Sequence, residues 1–176
     1  MLLDLIKILS EDGGVLERSI PVEMNQLKLG ADVFPILQAE PLQLKICNTG
    51  KKVLEITAVG RVTVEIPCGR CLKPVKQEVS FRSEFVIDRK KTDRELEEEA
   101  QDVSFLKDTV LDTEKLAAGE LLVHWPIRVL CKEDCKGICS RCGADLNIAP
   151  CECDREVPDP RMAAIQDIFS KFKEEV

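Results

Sequence analysis

Apolar and polar residues alternate over an unusual length at residues 53–66, with Leu54, Ile56, Ala58, Gly60, Val62, Val64 and Ile66 on one parity. Glu55, Thr57, Arg61, Thr63 and Glu65 occupy the other. A period of two predicts a half-buried strand, or two joined strands, with Gly60 as a bulge or bend. Residues 75–87 repeat the pattern, with Val75, Val79, Phe81, Phe85 and Ile87 opposite Lys76, Glu78, Arg82 and Glu84. The intervening PCGRCLKP is short, so the two runs read as an antiparallel hairpin. A third strand is predicted at Leu42, Leu44 and Ile46, ended by the turn-forming Asn48-Thr49-Gly50.

Periodicity is lost between Arg89 and Asp112, where DRELEEEAQD dominates, and the stretch reads as a solvated loop, an acidic helix or an acidic docking surface. A helix follows, with Asp112 or Thr113 as N-cap, Glu114 in its first turn and Leu116, Leu121 and Leu122 apolar. Pro126 ends it, because the residue before a proline is driven from helical angles. Near the C-terminus Asp159-Pro160 caps a predicted amphipathic helix through Met162, Ile165, Ile168, Phe169 and Phe172, which packs on the domain or binds a partner.

Composition narrows the class. The chain has 176 residues, 44% of them hydrophobic and only 4% aromatic, so its core is aliphatic. Net charge is −7, spread unevenly: +2 over residues 1–91, −7 over 92–126 and −2 over 127–176. Phosphate-gripping proteins are normally basic overall, so tight nucleic-acid binding by the whole chain is disfavoured, while a local basic face in the first half stays open. The opening MLLDLIKILS is broken by Asp4 and Lys7 and lacks a signal-peptide pattern, and no apolar run reaches the roughly 20 residues of a membrane span. These features point to a soluble cytoplasmic protein, where thiols stay reduced and clustered cysteines bind metal more often than they form disulfides.

The nine cysteines carry the chemistry. LCKEDCKGICSRCGADLNIAPCECD holds Cys131 and Cys135, then Cys139 and Cys142 followed by Gly143, then Cys151 and Cys153, and the hairpin loop adds Cys68 and Cys71. Zinc takes four thiolates at the corners of a small tetrahedron, and closely spaced pairs on tight turns deliver them at low ordering cost. The glycine of C-x-x-C-G permits backbone angles that turn amide hydrogens toward sulfur. Eight thiols match two four-cysteine sites. Cys139, Cys142, Cys151 and Cys153 form the first quartet, since two nearby turns can meet without long-range assembly. Cys68, Cys71, Cys131 and Cys135 would form a second, stapling the hairpin tip to the end of the helix. The alternative pairing joins Cys68 and Cys71 to the Cys139 turn. Structural zinc, as one or two ions, is favoured over an iron–sulfur cluster, which uses the same four thiolates. Cys47 reads as a small buried hydrophobe.

Catalytic patterns are thin. His124 is the only histidine, the Walker A, G-x-G-x-x-G, G-x-S-x-G and H-E-x-x-H motifs are absent, and closed four-thiolate zinc leaves no position for a reactive water. The residues thus point away from an enzyme, a small-molecule substrate or a membrane. They describe an α+β chain: an antiparallel β-sheet with a packed helix over residues 1–126, including the acidic loop at 89–112, then a cysteine-rich zinc-binding appendage and C-terminal helix over 127–176.

The loop IPCGRCLKPV, the segment WPIRVLCKEDCKGICSRCGADLN followed by CEC, and the ending DPRMAAI together resemble the bacterial YceD family, named for large ribosomal RNA subunit accumulation. The resemblance covers most of residues 42–170. It implies a non-enzymatic ribosome-biogenesis factor that supports accumulation of 23S rRNA, with a large-subunit precursor as partner through RNA or a ribosomal protein. Arg70, inside C-x-R-C, then has two open roles: bonding loop carbonyls, or contacting that partner. Two other classes remain beside this one, a thiol-based redox or metal-sensing protein and a generic zinc-ribbon interaction adaptor.

Overall fold

In the computed structural model, which describes residues 1–91 and 103–153, the alternation at residues 53–66 forms one unbroken strand. The elements in chain order are β1 Leu2–Asp4, α1 Ile6–Ser10, β2 Val15–Ile20, β3 Gln26–Leu29, β4 Asp32–Ala39, β5 Leu42–Gly50, β6 Val53–Pro67, β7 Pro74–Asp88, β8 Leu106–Lys107, β9 Val110–Asp112 and α2 Thr113–Val123. The described chain is mostly antiparallel sheet with two short helices, the coarse form of the α+β expectation. It divides into two units, Met1–Gly69 with Lys73–Cys131, and Arg70–Leu72 with the residues from Lys132 onward.

In the first unit, β6 is the axis of a six-stranded sheet. One edge of β6 pairs with β7 from Val53↔Asp88 to Pro67↔Pro74 without a register shift. The other edge is shared, with β5 along Val53–Val59 and β4 along Val62–Val64. β2 continues outward from β5, and β3 from β4. Leu54, Ile56, Ala58, Val62, Val64 and Ile66 are all buried, because an unshifted period of two keeps every second side chain on one face.

Gly60 is therefore not the bulge that its type suggested. It sits in regular pairing opposite Phe81, and a Cβ there would lie 2.5 Å from the Phe81 ring. The glycine makes room for an aromatic ring laid across the strand, in a core with few aromatics to fill it. The turn expected at Asn48–Gly50 also moves. β5 runs through Gly50, and the reversal is made by Lys51 and Lys52, both at positive φ. Asn48 is held in the strand because its buried side-chain amide donates to the Ile8 and Glu11 carbonyls, both at 3.0 Å, closing the end of α1.

Within the stretch expected as a polar loop, residues 106–112 form β8 and β9, which join β1 in a small three-stranded sheet. Val103, Phe105 and Leu111 enter the core, and the Phe105 ring meets Phe85 edge-on at 4.9 Å. DRELEEEAQD and the helix expected after Pro160 lie outside the described residues. The predicted helix near 113 is α2, whose Asp112 side chain accepts the amides of Glu114 and Lys115 at 3.2 Å. It buries Leu116, Ala117 and Leu121 and bonds β7 through Ser83 to Glu120. Beyond its end, the Trp125 ring meets Phe34 at a tilt, with ring centroids 4.8 Å apart. Among the described residues no helix is long and apolar enough to cross a membrane.

The second unit has no regular element among its described residues beyond an isolated bridge between Ile138 and Asp145. Turns built on Gly137 and Gly143, both at positive φ, define its path.

The ring over Gly60 yields a stability test. Gly60→Ala is expected to lower the free energy of unfolding by about 2 kcal/mol through overpacking. Phe81→Leu in the same chain should offset part of that loss, so urea unfolding of the double variant shows less destabilisation than the two single changes summed. Strict additivity would disprove the contact.

Candidate metal centres

Eight of the nine cysteines fall into two groups. The sulfurs of Cys68, Cys71, Cys131 and Cys135 lie within 4.8 Å of one another, and so do those of Cys139, Cys142, Cys151 and Cys153. These are the quartets favoured from spacing, and the alternative that joins the hairpin pair to the Cys139 turn is not the arrangement found. Either quartet could hold a metal ion. Cys47 belongs to neither; it is half-buried in β5, opposite Val15 and Glu55. His124 accompanies neither group, since its Nδ1 lies 2.9 Å from the Glu120 carbonyl and its ring faces Phe81.

Local chemistry places each sulfur. The β6–β7 ladder ends at Pro67↔Pro74, so Cys68 begins the hairpin tip, and its amide donates to the Lys73 carbonyl at 2.8 Å. The Gly69 amide donates to the Val129 carbonyl at 2.9 Å, two residues before Cys131. Cys68, Cys71 and Cys135 are buried, whereas Cys131 is exposed.

In the second unit Arg70 braces Cys135: its guanidinium donates to the Cys135 carbonyl at 2.6 Å, and its own carbonyl accepts the Ile138 amide at 3.2 Å. Of its two open roles, the loop-bonding one is the contact present. Gly137 is required beside it, because a Cβ at that residue, already at φ +80°, would stand 2.9 Å from the Arg70 carbonyl oxygen. Asn147 completes the support. Its side-chain amide reaches the Cys135 sulfur at 3.6 Å and the Asp145 carboxylate at 2.8 Å, while its side-chain oxygen accepts the Lys136 amide at 2.8 Å. Asn147 and Gly137 carry no thiol, so reasoning from ligand types passed over them; both nonetheless lie within the run quoted for the family resemblance.

The other quartet lies wholly in the second unit. Gly143, at φ +73°, closes the C-x-x-C-G turn with its amide on the Cys139 carbonyl at 2.9 Å. That turn aims the amides of Cys142 and Arg141 at the Cys139 sulfur, and together with the Cys151 thiol they hold the Cys139 pKa down at about 6. Cys153 moves the other way, to about 12, because its thiol bonds to Cys142 and is also partly desolvated. Cys139 is thus the readier thiolate of this cluster and Cys153 the more firmly protonated thiol.

The donor set fits a tetrahedral divalent ion. Four sulfurs at about 2.3 Å from zinc are about 3.8 Å apart, a spacing inside the 4.8 Å within which each cluster's sulfurs lie. Zinc would supply the charge that lets four thiolates share one small volume, and the amides on Cys139 and Cys135 would share the remaining negative charge.

A family model described as large ribosomal RNA subunit accumulation protein YceD matches residues 56–169. An uncharacterised protein of Mycobacterium tuberculosis is 26% identical over 173 residues, covering 96% of this chain and 81% of its own. The uncharacterised protein YlbN of Bacillus subtilis is 26% identical over 157 residues, 87% of either chain. A chloroplastic protein of Arabidopsis thaliana, named large ribosomal RNA subunit accumulation protein YCED homolog 1, is 28% identical over 160 residues, 76% of this chain and 50% of its own. No solved structure matches.

Ionisation of Cys139 can be read in metal-free protein. Its lowered pKa means a neutral thiol below about 6 and a thiolate above, so ultraviolet thiolate absorbance should rise first near pH 6 and lose that step in Cys139→Ser. A first rise at the ordinary cysteine value of about 8.5 would show that the turn amides do not face the sulfur.

Proposed function

The chain belongs to the YceD family, and from that membership we propose that it supports accumulation of 23S rRNA, and with it large-subunit assembly, without catalytic activity of its own. The observation that carries the reading is the family match over residues 56–169, a span that contains the β6–β7 hairpin and all eight clustered cysteines. The printed name of the Arabidopsis relative supports it. The partner in this reading is a large-subunit precursor, met through RNA or a ribosomal protein.

Structural zinc belongs to the same reading, one ion on Cys68, Cys71, Cys131 and Cys135 and one on Cys139, Cys142, Cys151 and Cys153. Support comes from the sulfur spacing and from the irregularity of residues 132–153, which have little apolar burial to order them. Zinc binding in small modules contributes of order 10 kcal/mol or more, enough to order such a segment. Within this reading residues 1–126 form the sheet and helix body, residues 127–176 form the cysteine-rich segment, and the protein works in the cytoplasm, where thiolates stay available to metal.

Depletion of the protein in its own organism is expected to lower 23S relative to 16S rRNA, measured on total RNA; an unchanged ratio counts against the assembly role. Metal analysis of protein purified without chelator is expected to find two equivalents of zinc. One equivalent would leave a single site, and none would remove zinc from the account.

A further inference from the structure

The slight excess of positive charge over residues 1–91 is concentrated at one place. Lys51 and Lys52 form the β5–β6 turn, and Arg89, Lys90 and Lys91 leave the end of β7 beside it. Backbone bonds hold the two segments together. The Arg89 amide donates to the Lys52 carbonyl at 3.0 Å, the Lys91 amide to the Asp88 carbonyl at 3.0 Å, and the Lys90 amide to the Asp88 carboxylate at 2.9 Å. The Arg89 guanidinium is fixed on the Asp108 carbonyl at 3.0 Å. Lys51, Lys52 and Lys90 are exposed, and among the described residues none of these three is in an ion pair. Among the described residues, the carboxylates of Asp12, beside Gly50, and of Asp88 border the cluster.

The turn itself is poorly chosen for folding. Pairing of Gly50 with Val53 leaves a two-residue connection, with Lys51 at φ +54° and Lys52 at φ +68°. Asn-Gly is the pair that suits two successive positive φ values; lysine is strained at both. Strained residues that also gather like charge sacrifice stability for something outside the fold.

We propose that this end of the sheet grips the phosphate backbone of RNA. The inference rests on the rRNA-accumulation reading and names where the RNA is held. Lysine ammonium groups on flexible stems suit phosphate oxygens, and the five residues include no aromatic on which a base could stack, so the contact positions RNA without reading its sequence.

The test uses the full-length chain and a short fluorescein-labelled single-stranded RNA, with affinity followed by anisotropy as salt is raised. Phosphate contacts by Lys51, Lys52 and Lys90 predict a slope of log K against log salt of about −2.1, at about −0.7 per contact on single strands. The decisive variant carries Lys51→Asn and Lys52→Gly together. It should raise the melting temperature, because strain is relieved, while weakening RNA binding and reducing the slope by about 1.4. Unchanged RNA affinity in this variant would overturn the proposal. So would binding that appears only after Glu97, Glu98 and Glu99 are changed to Gln, which would show the cations engaged by the chain's own acidic stretch. Preference for anionic phospholipid vesicles over RNA would equally overturn it. If the wild-type chain fails to bind RNA while its depletion still lowers 23S rRNA, this surface is wrong and the assembly role stands.

Discussion

The unshifted ladder between β6 and β7 is the constraint on which the sheet of the first unit depends. Fifteen consecutive pairs from Val53↔Asp88 to Pro67↔Pro74 commit every even-numbered side chain of β6 to one face. A slip of one residue would place Leu54, Ile56, Val62, Val64 and Ile66 in water and Glu55, Arg61 and Glu65 in the core, a change that no local rearrangement could offset. The same ladder sets its own two ends. At one end it stops at paired prolines and begins the tip that carries Cys68 and Cys71; at the other it brings Lys52 against Arg89.

Order in the cysteine segment has a different source. Hydrophobic burial cannot organise residues 132–153, where short turns replace strands and few apolar side chains are covered. What organises them is the geometry of sulfur: glycines at positive φ where the chain must double back, amides aimed at Cys139, and Asn147 and Arg70 holding Cys135 from two sides. In the Cys139 cluster the thiols are unequal, Cys139 held low by the turn amides and Cys153 held high by its bond to Cys142, and four sulfurs this close could hold a divalent cation.

Much of the hairpin was legible because a period of two is a strong local signal, and the Asp112 cap because a side-chain acceptor before an apolar run has few other uses. β1 to β4 and α1 were not anticipated. β2 and β4 expose most of their side chains, so their patterns lack the contrast on which periodicity depends. Residues 106–112 were hidden by the charged run before them, although Phe105 and Leu111 are core residues. Gly60 and Asn48 were read by residue type as a bulge and a turn. Both sit inside strands, for reasons lying 21 and 40 positions away: the Phe81 ring and the Ile8 carbonyl.

The sequence by itself determined the half-buried strands, the capped helix and the division of eight cysteines into closely spaced pairs, because each depends on neighbours within a few residues. Tertiary structure alone decided between the two partners left open for the hairpin cysteines, that Arg70 and Asn147 brace Cys135, and that lysines from two separate connections meet at one end of the sheet. These depend on strand register and on turn geometry, which join residues far apart in the chain and leave no periodic trace in it.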